Sequence, residues 1–227
     1  MRLMFDLDGT LTDSRVGVTR CIQHALAEAG VEAPPIEELT PYVGPPLLGS
    51  FATLLGTSDA RLIEGAIAAY RRRFEQFGMF ENRLYPGIVE MLTAFDGAGH
   101  DLRVVTVKPR VYAVQILEHF GIAGLFHGVH GPELGARRYT KESLIRGVCV
   151  SAPFPADRTT MIGDRAEDVR GAKANGVGSV AVTWGYGDRD ELEAAQPERL
   201  VASSRELVDY VLEGRRRTSS RRCQEPS

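Results

Sequence analysis

Arg2-Leu3-Met4-Phe5-Asp6-Leu7-Asp8-Gly9-Thr10 is the stretch on which the reading of the chain turns. A short apolar run long enough for a buried strand gives way to two aspartates, and Asp-Gly is a turn signal, so a core strand ends where acids begin. Downstream, Ser14 caps a helical pattern over Val18, Cys21, Ile22, Ala25, Leu26 and Ala29 that stops at Gly30. Residues 31–81 continue as helical segments broken by Pro34-Pro35, Pro41 and Gly44-Pro45-Pro46, with no strand-like alternation. From Arg83 the rhythm changes to helix 87–97, strand 101–107, helix 110–120, an apolar piece at 125–129 and helix 141–150. Strand 159–163, helix 166–174, strand 178–183, a short strand near Leu200-Val201 and helix 204–212 follow. Strands alternating with helices of this length predict an α/β fold, a doubly wound parallel sheet interrupted after its first strand by an all-helical insert. The expected boundaries are 1–13 and 83–213 for the core, 14–82 for the insert, and 214–227 for a disordered Arg-rich tail.

The composition supports a globular core. Of 227 residues, 43% are hydrophobic and 25% charged, which excludes disordered, collagen-like and fibrous classes. No apolar run approaches the roughly 20 residues a membrane span needs, and Met1 to Asp6 lacks the apolar region of a signal peptide, so a cytoplasmic location is expected. Net charge is −3; residues 215–227 contribute +4, leaving −7 on the body, which argues against a nucleic-acid surface. Cys21, Cys149 and Cys223 are far apart and lack zinc or disulfide spacing. Of the 27 Lys and Arg residues only Lys108, Lys141 and Lys173 are lysines, a bias that draws attention to ammonium chemistry where Lys is kept.

In an open parallel sheet, ligands bind beyond the carboxyl ends of the strands. Asp6 and Asp8 follow the first expected strand, Thr106 and Lys108 the second, and Asp164 the one ending Met161-Ile162-Gly163; Lys141 and Asp168 open helices in the same region. Each alone reads as a turn, a cap or a solvated charge. Together they are expected to converge on one cleft.

FDLDGTLTDS (5–14), VVTVKP (104–109), Lys141 within RRYTKESLI, and GDRAEDVRGAKANGV (163–177) resemble, in order, the four motifs of the haloacid dehalogenase superfamily, in its phosphoglycolate-phosphatase-like branch. The resemblance spans residues 1 to about 212 and implies a Rossmann-like core with a helical cap between the first two motifs. The function it implies is a Mg²⁺-dependent phosphatase acting on a small phosphorylated metabolite through an aspartyl-phosphate.

The residue types fit that chemistry. A phosphate dianion repels an attacking carboxylate, and unit charges about 4 Å apart interact by roughly 4 kcal/mol at an effective dielectric of about 20. Asp6 therefore serves as nucleophile only beside compensating positive charge, expected from Mg²⁺ and Lys141. Mg²⁺ prefers oxygen ligands, which suits Asp6 and Asp164 and, by resemblance, the backbone carbonyl of Asp8. Asp8 is placed to protonate the leaving oxygen and then activate water, and Thr106 to offer its hydroxyl to a phosphate oxygen. Gly9 lets the chain turn beside the anion. Resemblance makes Asp168 the partner that orients Lys141 and puts Lys108, in Thr-x-Lys-Pro, at the cleft rim. The insert loop around Gly44 and Pro45 and the string Trp184-Gly185-Tyr186-Gly187 also resemble that branch, and Arg20 and Arg71 to Arg73 are candidates to reach the substrate from the insert.

Asp8 speaks against dehalogenation, which needs no second acid. A sugar phosphomutase of the β-phosphoglucomutase kind is the alternative, weakened by Val16-Gly17-Val18 where that group carries a His; a receiver-like or non-catalytic phosphate-binding protein is the alternative of another class. The substrate and the choice between monomer and homodimer stay open.

Overall fold

The computed structural model describes residues 1–136 and 139–222. The strands are β1 (Arg2–Phe5), β2 (Thr12–Asp13), β3 (Arg83–Leu84), β4 (Asp101–Val105), β5 (Gly128–His130), β6 (Thr159–Gly163), β7 (Gly178–Val182) and β8 (Arg199–Val201). The helices are α1 (Arg15–Glu28), α2 (Ile36–Leu39), α3 (Leu47–Leu54), α4 (Ala60–Arg73), α5 (Ile88–Gly97) and α6 (Arg110–His119), then α7 (Lys141–Ser151), α8 (Ala166–Ala174), α9 (Arg189–Ala195) and α10 (Ser204–Arg222). Six strands form one sheet in the order β5-β4-β1-β6-β7-β8, every neighbouring pair parallel.

The first strand is thus central, with Phe5 opposite Val104 on one side and Ile162 on the other. Its alternation divides the core between the faces. Leu3 and Phe5 pack with Phe95, Ile116 and Leu207, whereas Met4 packs with Val105, Met161, Ile145 and Val148. Full burial of one such side chain is worth about 1.5–3 kcal/mol. At the start of the strand Arg2 is buried because Asp101 neutralises it, through Nε at 2.8 Å and Nη2 at 2.7 Å.

Between β2 and β3 every element is helical, the last a π-helical turn at Phe74–Gly78. The two strands that flank this insert pair with each other antiparallel, Asp13 opposite Arg83. Their two-residue length leaves no periodicity to read, which is why the sequence shows only a helical stretch here.

Three expectations need correction. Ser14 stands at the N-cap of α1, but its side chain makes no cap hydrogen bond; the Asp13 carboxylate accepts from the Arg15 N–H at 3.3 Å instead. The second core strand ends at Val105, so Thr106 and Lys108 lie in the turn beyond it. Helix α10 continues to Arg222, ten residues past its expected end, so much of the stretch expected to be a disordered tail is helical, in keeping with the helix propensity of Arg. Residues 223–227 of that stretch lie outside the described residues. Among the described residues, no helix is long and apolar enough to cross a membrane.

Candidate active site

Asp6 continues β1 past its last paired residue, its N–H donating to the Ile162 carbonyl at 2.9 Å. The parallel strands on either side bring their own ends to the same place. Asp6 Oδ1 accepts from the Leu7 N–H at 2.8 Å and pairs with Lys141 Nζ at 2.9 Å. Lys141, at the start of α7, also pairs with Asp168 Oδ1 at 2.8 Å and donates to the Val105 carbonyl at 3.0 Å. A capping box at Thr140 and Ser143 fixes the start of that helix, and with it the position of the ammonium. Asp168 is anchored in turn by the Arg165 N–H, at 3.1 Å from Oδ2.

Asp164 closes the cluster. It follows β6, is 0% exposed, and accepts from Thr10 Oγ1 at 3.3 Å and from the Tyr186 N–H at 2.8 Å. Gly9 is required opposite it: φ is +84°, and a Cβ there would lie 2.1 Å from Asp164 Oδ2. Gly163 is constrained by space alone: a Cβ there would lie 2.1 Å from Asp168 Cγ.

One oxygen from each of Asp6, Asp164 and Asp168 lies within 4.8 Å of the others. Burial, then the charges of Asp6 and Asp168, push the Asp164 carboxyl up to about 8. Burial also raises Asp168, against the pull of Lys141. Burial disfavours the charge on Lys141, but Asp168 and Asp6 outweigh it and hold the ammonium well above its ordinary range. Three buried carboxylates face one ammonium, so the pocket is short of positive charge. An all-oxygen donor set with that deficit fits Mg²⁺: Asp6 meets Lys141 and the Leu7 N–H through Oδ1, so its other oxygen can join Asp164 in binding the ion.

Asp8 lies on the outer side of this cluster. Lys108 Nζ pairs with its Oδ2 at 2.9 Å, while Oδ1 is buried and has no hydrogen-bond partner among the described residues. Lys108 is therefore more than a rim residue: its side chain is 8% exposed and its ammonium sits 4.6 Å from the centre of the Phe74 ring, on the insert. Thr106 is buried, and its Oγ1 accepts from the Lys108 N–H at 3.2 Å, which leaves its own proton to donate.

Of the insert arginines, Arg20 and Arg73 pair with Glu81, and Arg72 pairs with Glu28. These three make their ion pairs within the insert; Arg71 is half-buried, and Gly44 and Pro45 are exposed on a loop of the insert. Sequence reasoning gave no role to Thr10 or to the loop after β7. Trp184 Nε1 donates to the Thr10 carbonyl at 3.0 Å, and a Cβ on Gly185 would lie 2.3 Å from Asp164 Cβ. The signal was the Trp-Gly-Tyr-Gly string itself, whose two glycines mark close backbone approach.

The profile of the haloacid dehalogenase-like hydrolases matches residues 3–182. A Pseudomonas aeruginosa protein named 5′-nucleotidase is 45% identical over 88% of this chain and 90% of its own. The Mycobacterium tuberculosis tyrosine-protein kinase PtkA is 38% identical over 84% of this chain, which spans 65% of that protein. An Agrobacterium fabrum phosphoglycolate phosphatase is 32% identical, covering 92% and 91%. The crystal structure of a predicted phosphatase from Clostridium acetobutylicum superposes with a TM-score of 0.87 at 40% identity, covering 93% of this chain and 98% of that one.

Proposed function

From the premise that the chain belongs to the haloacid dehalogenase-like hydrolase family, we propose a Mg²⁺-dependent reaction through an aspartyl-phosphate on Asp6. The protein is a phosphoric monoester hydrolase. The observation that carries the mechanism is the buried carboxylate trio with Lys141 as the cation set into it. Asp6, Asp164 and the backbone carbonyl of Asp8 would hold Mg²⁺, which supplies the charge that lets a phosphate dianion approach these acids.

Asp6 attacks phosphorus in line: the carboxylate O–P bond forms and the bond to the leaving oxygen breaks. Lys141 and the Thr106 hydroxyl hold phosphate oxygens as charge develops on them. Asp8 gives its proton to the departing alkoxide and then takes one from the water that hydrolyses the phosphoenzyme. Lys108 steadies Asp8 at the leaving-group side, and Asp168 steadies Lys141. The helical insert acts as a cap that shapes the leaving-group space above Lys108. A nucleoside monophosphate heads the substrate classes, ahead of phosphoglycolate and sugar phosphates, on the strength of the 45% identical relative named 5′-nucleotidase.

The test is phosphate release from p-nitrophenyl phosphate and then from a panel of those three classes. EDTA is expected to abolish release and Mg²⁺ to restore it. Acid quenching of a single turnover with labelled substrate should trap phosphoprotein in the wild type and none in Asp6→Asn. Full activity in EDTA, or turnover by Asp6→Asn, would overturn the mechanism.

A further inference from the structure

Tyr186 is held at both ends by groups with different jobs. Its N–H donates to Asp164 Oδ2 at 2.8 Å, while its hydroxyl donates to Asp13 Oδ1 at 3.1 Å and lies 3.5 Å from Ser14 Oγ. Asp13 in turn accepts from Arg83 Nε at 3.1 Å and Nη2 at 2.7 Å. Asp13 and Arg83 are opposite residues of β2 and β3, the ribbon through which the chain leaves the core for the insert and returns.

The loop that carries Tyr186 has no slack. A Cβ on Gly185 would lie 2.4 Å from the Gly9 carbonyl, and one on Gly187 would lie 2.0 Å from the Asp164 carbonyl oxygen. A close-packed segment passes a displacement on rather than absorbing it. Movement of the Asp164 carboxylate therefore reaches the ribbon through the phenol.

We propose that Tyr186 is a positioning residue that couples cation binding at Asp164 to the ribbon carrying the insert. The inference rests on the reading of Asp164 as a cation ligand. Coupling of this kind is reciprocal: an ion that fixes Asp164 orders the ribbon, and an ordered ribbon strengthens ion binding to the same degree.

Tyr186→Phe removes the hydroxyl and keeps the ring and the N–H. Mg²⁺ is titrated into the metal-free full chain by calorimetry and by the fluorescence of Trp184, its single tryptophan. Tyr186→Phe is expected to bind Mg²⁺ about fivefold or more weakly. In the wild type, Mg²⁺ should slow hydrogen exchange at 184–187 and also at 12–14 and 83–85; in Tyr186→Phe the protection should stop at 184–187. Arg83→Gln, a change at a side chain 73% exposed, loosens the ribbon without touching Tyr186. It should weaken Mg²⁺ binding in the wild-type background and leave it unchanged in Tyr186→Phe. Equal Mg²⁺ affinity in wild type and Tyr186→Phe, additive effects of the two substitutions, or protection at 83–85 in Tyr186→Phe overturns the coupling alone. Absence of Mg²⁺ binding by the wild type, or binding that survives Asp164→Asn, overturns the reading of Asp164 and the coupling with it.

Discussion

Lys141 makes three convergent contacts, to Asp6, Asp168 and the Val105 carbonyl, from a position 5% exposed. A compact ammonium can satisfy three acceptors around one atom; a planar, longer guanidinium cannot do so without displacing one of them. Lys141→Arg is therefore expected to lower kcat/KM by at least about 10²-fold. Lys173→Arg is the control. Lys173 is exposed on α8 and donates to the Ala195 carbonyl at 2.8 Å, a contact Arg can keep, so its activity should be near that of the wild type. Comparable kcat/KM in the two variants would remove Lys141 from the site. Lys141→Met, measured by urea melts, should cost about 3–5 kcal/mol, because it leaves buried carboxylates without their cation.

At the scale of elements, β1 and β4 are locked at their N-terminal ends by Asp101, which lies between Arg2 and Arg103. Burial raises the Asp101 carboxyl, but the two guanidinium groups outweigh it and hold the group below the usual carboxylate range. A carboxyl depressed in this way contributes stability that is fully present above its unfolded pKa of about 3.9 and is lost as pH falls through the folded value. Asp101→Asn should lower stability at pH 7 by about 3 kcal/mol, since Arg2 is left buried and charged. The gap to the wild type should narrow below about pH 4; a gap that stays constant down to pH 3 would show that the charge on Asp101 is not its source. The elements themselves were largely legible in the sequence. Residues 159–163 and 166–174 were readable to the residue because Gly163 and Gly176 punctuate them. The ribbon at 12–13 and 83–84 was not, because pairs of residues that far apart leave no local pattern, and α9 was missed because it is only about two turns long, capped by Asp188. In the candidate site, the convergence of Asp6, Asp8, Asp164 and Lys141 could be expected because strand ends and the motif spacing announce it. The Lys108–Asp8 pair and the Tyr186 contacts could not, since each depends on how two loops from different strands meet.

For the molecule as a whole, the position of the first strand has a consequence in time. Arg2 pairs across one edge with Asp101 and across the other with Thr159, so the first strand of the sheet to be synthesised waits longer than any other for its second neighbour. At typical elongation rates the ribosome needs on the order of ten seconds to reach the second of them. Throughout that interval Leu3, Met4 and Phe5 form an unpaired apolar edge, a template for pairing with other chains. Contacts this distant in sequence also make refolding slow. Chains truncated after residue 158, lacking β6, should be protease-sensitive and prone to aggregate, and should gain neither resistance nor phosphate release on addition of Mg²⁺, whereas the full chain refolds from urea in a slow phase that Met4→Ala retards further. Nascent chains of this protein are therefore expected to be clients of the chaperones that shield emerging strands, with exposure ending only when the strand that leads into the candidate site is clamped from both sides.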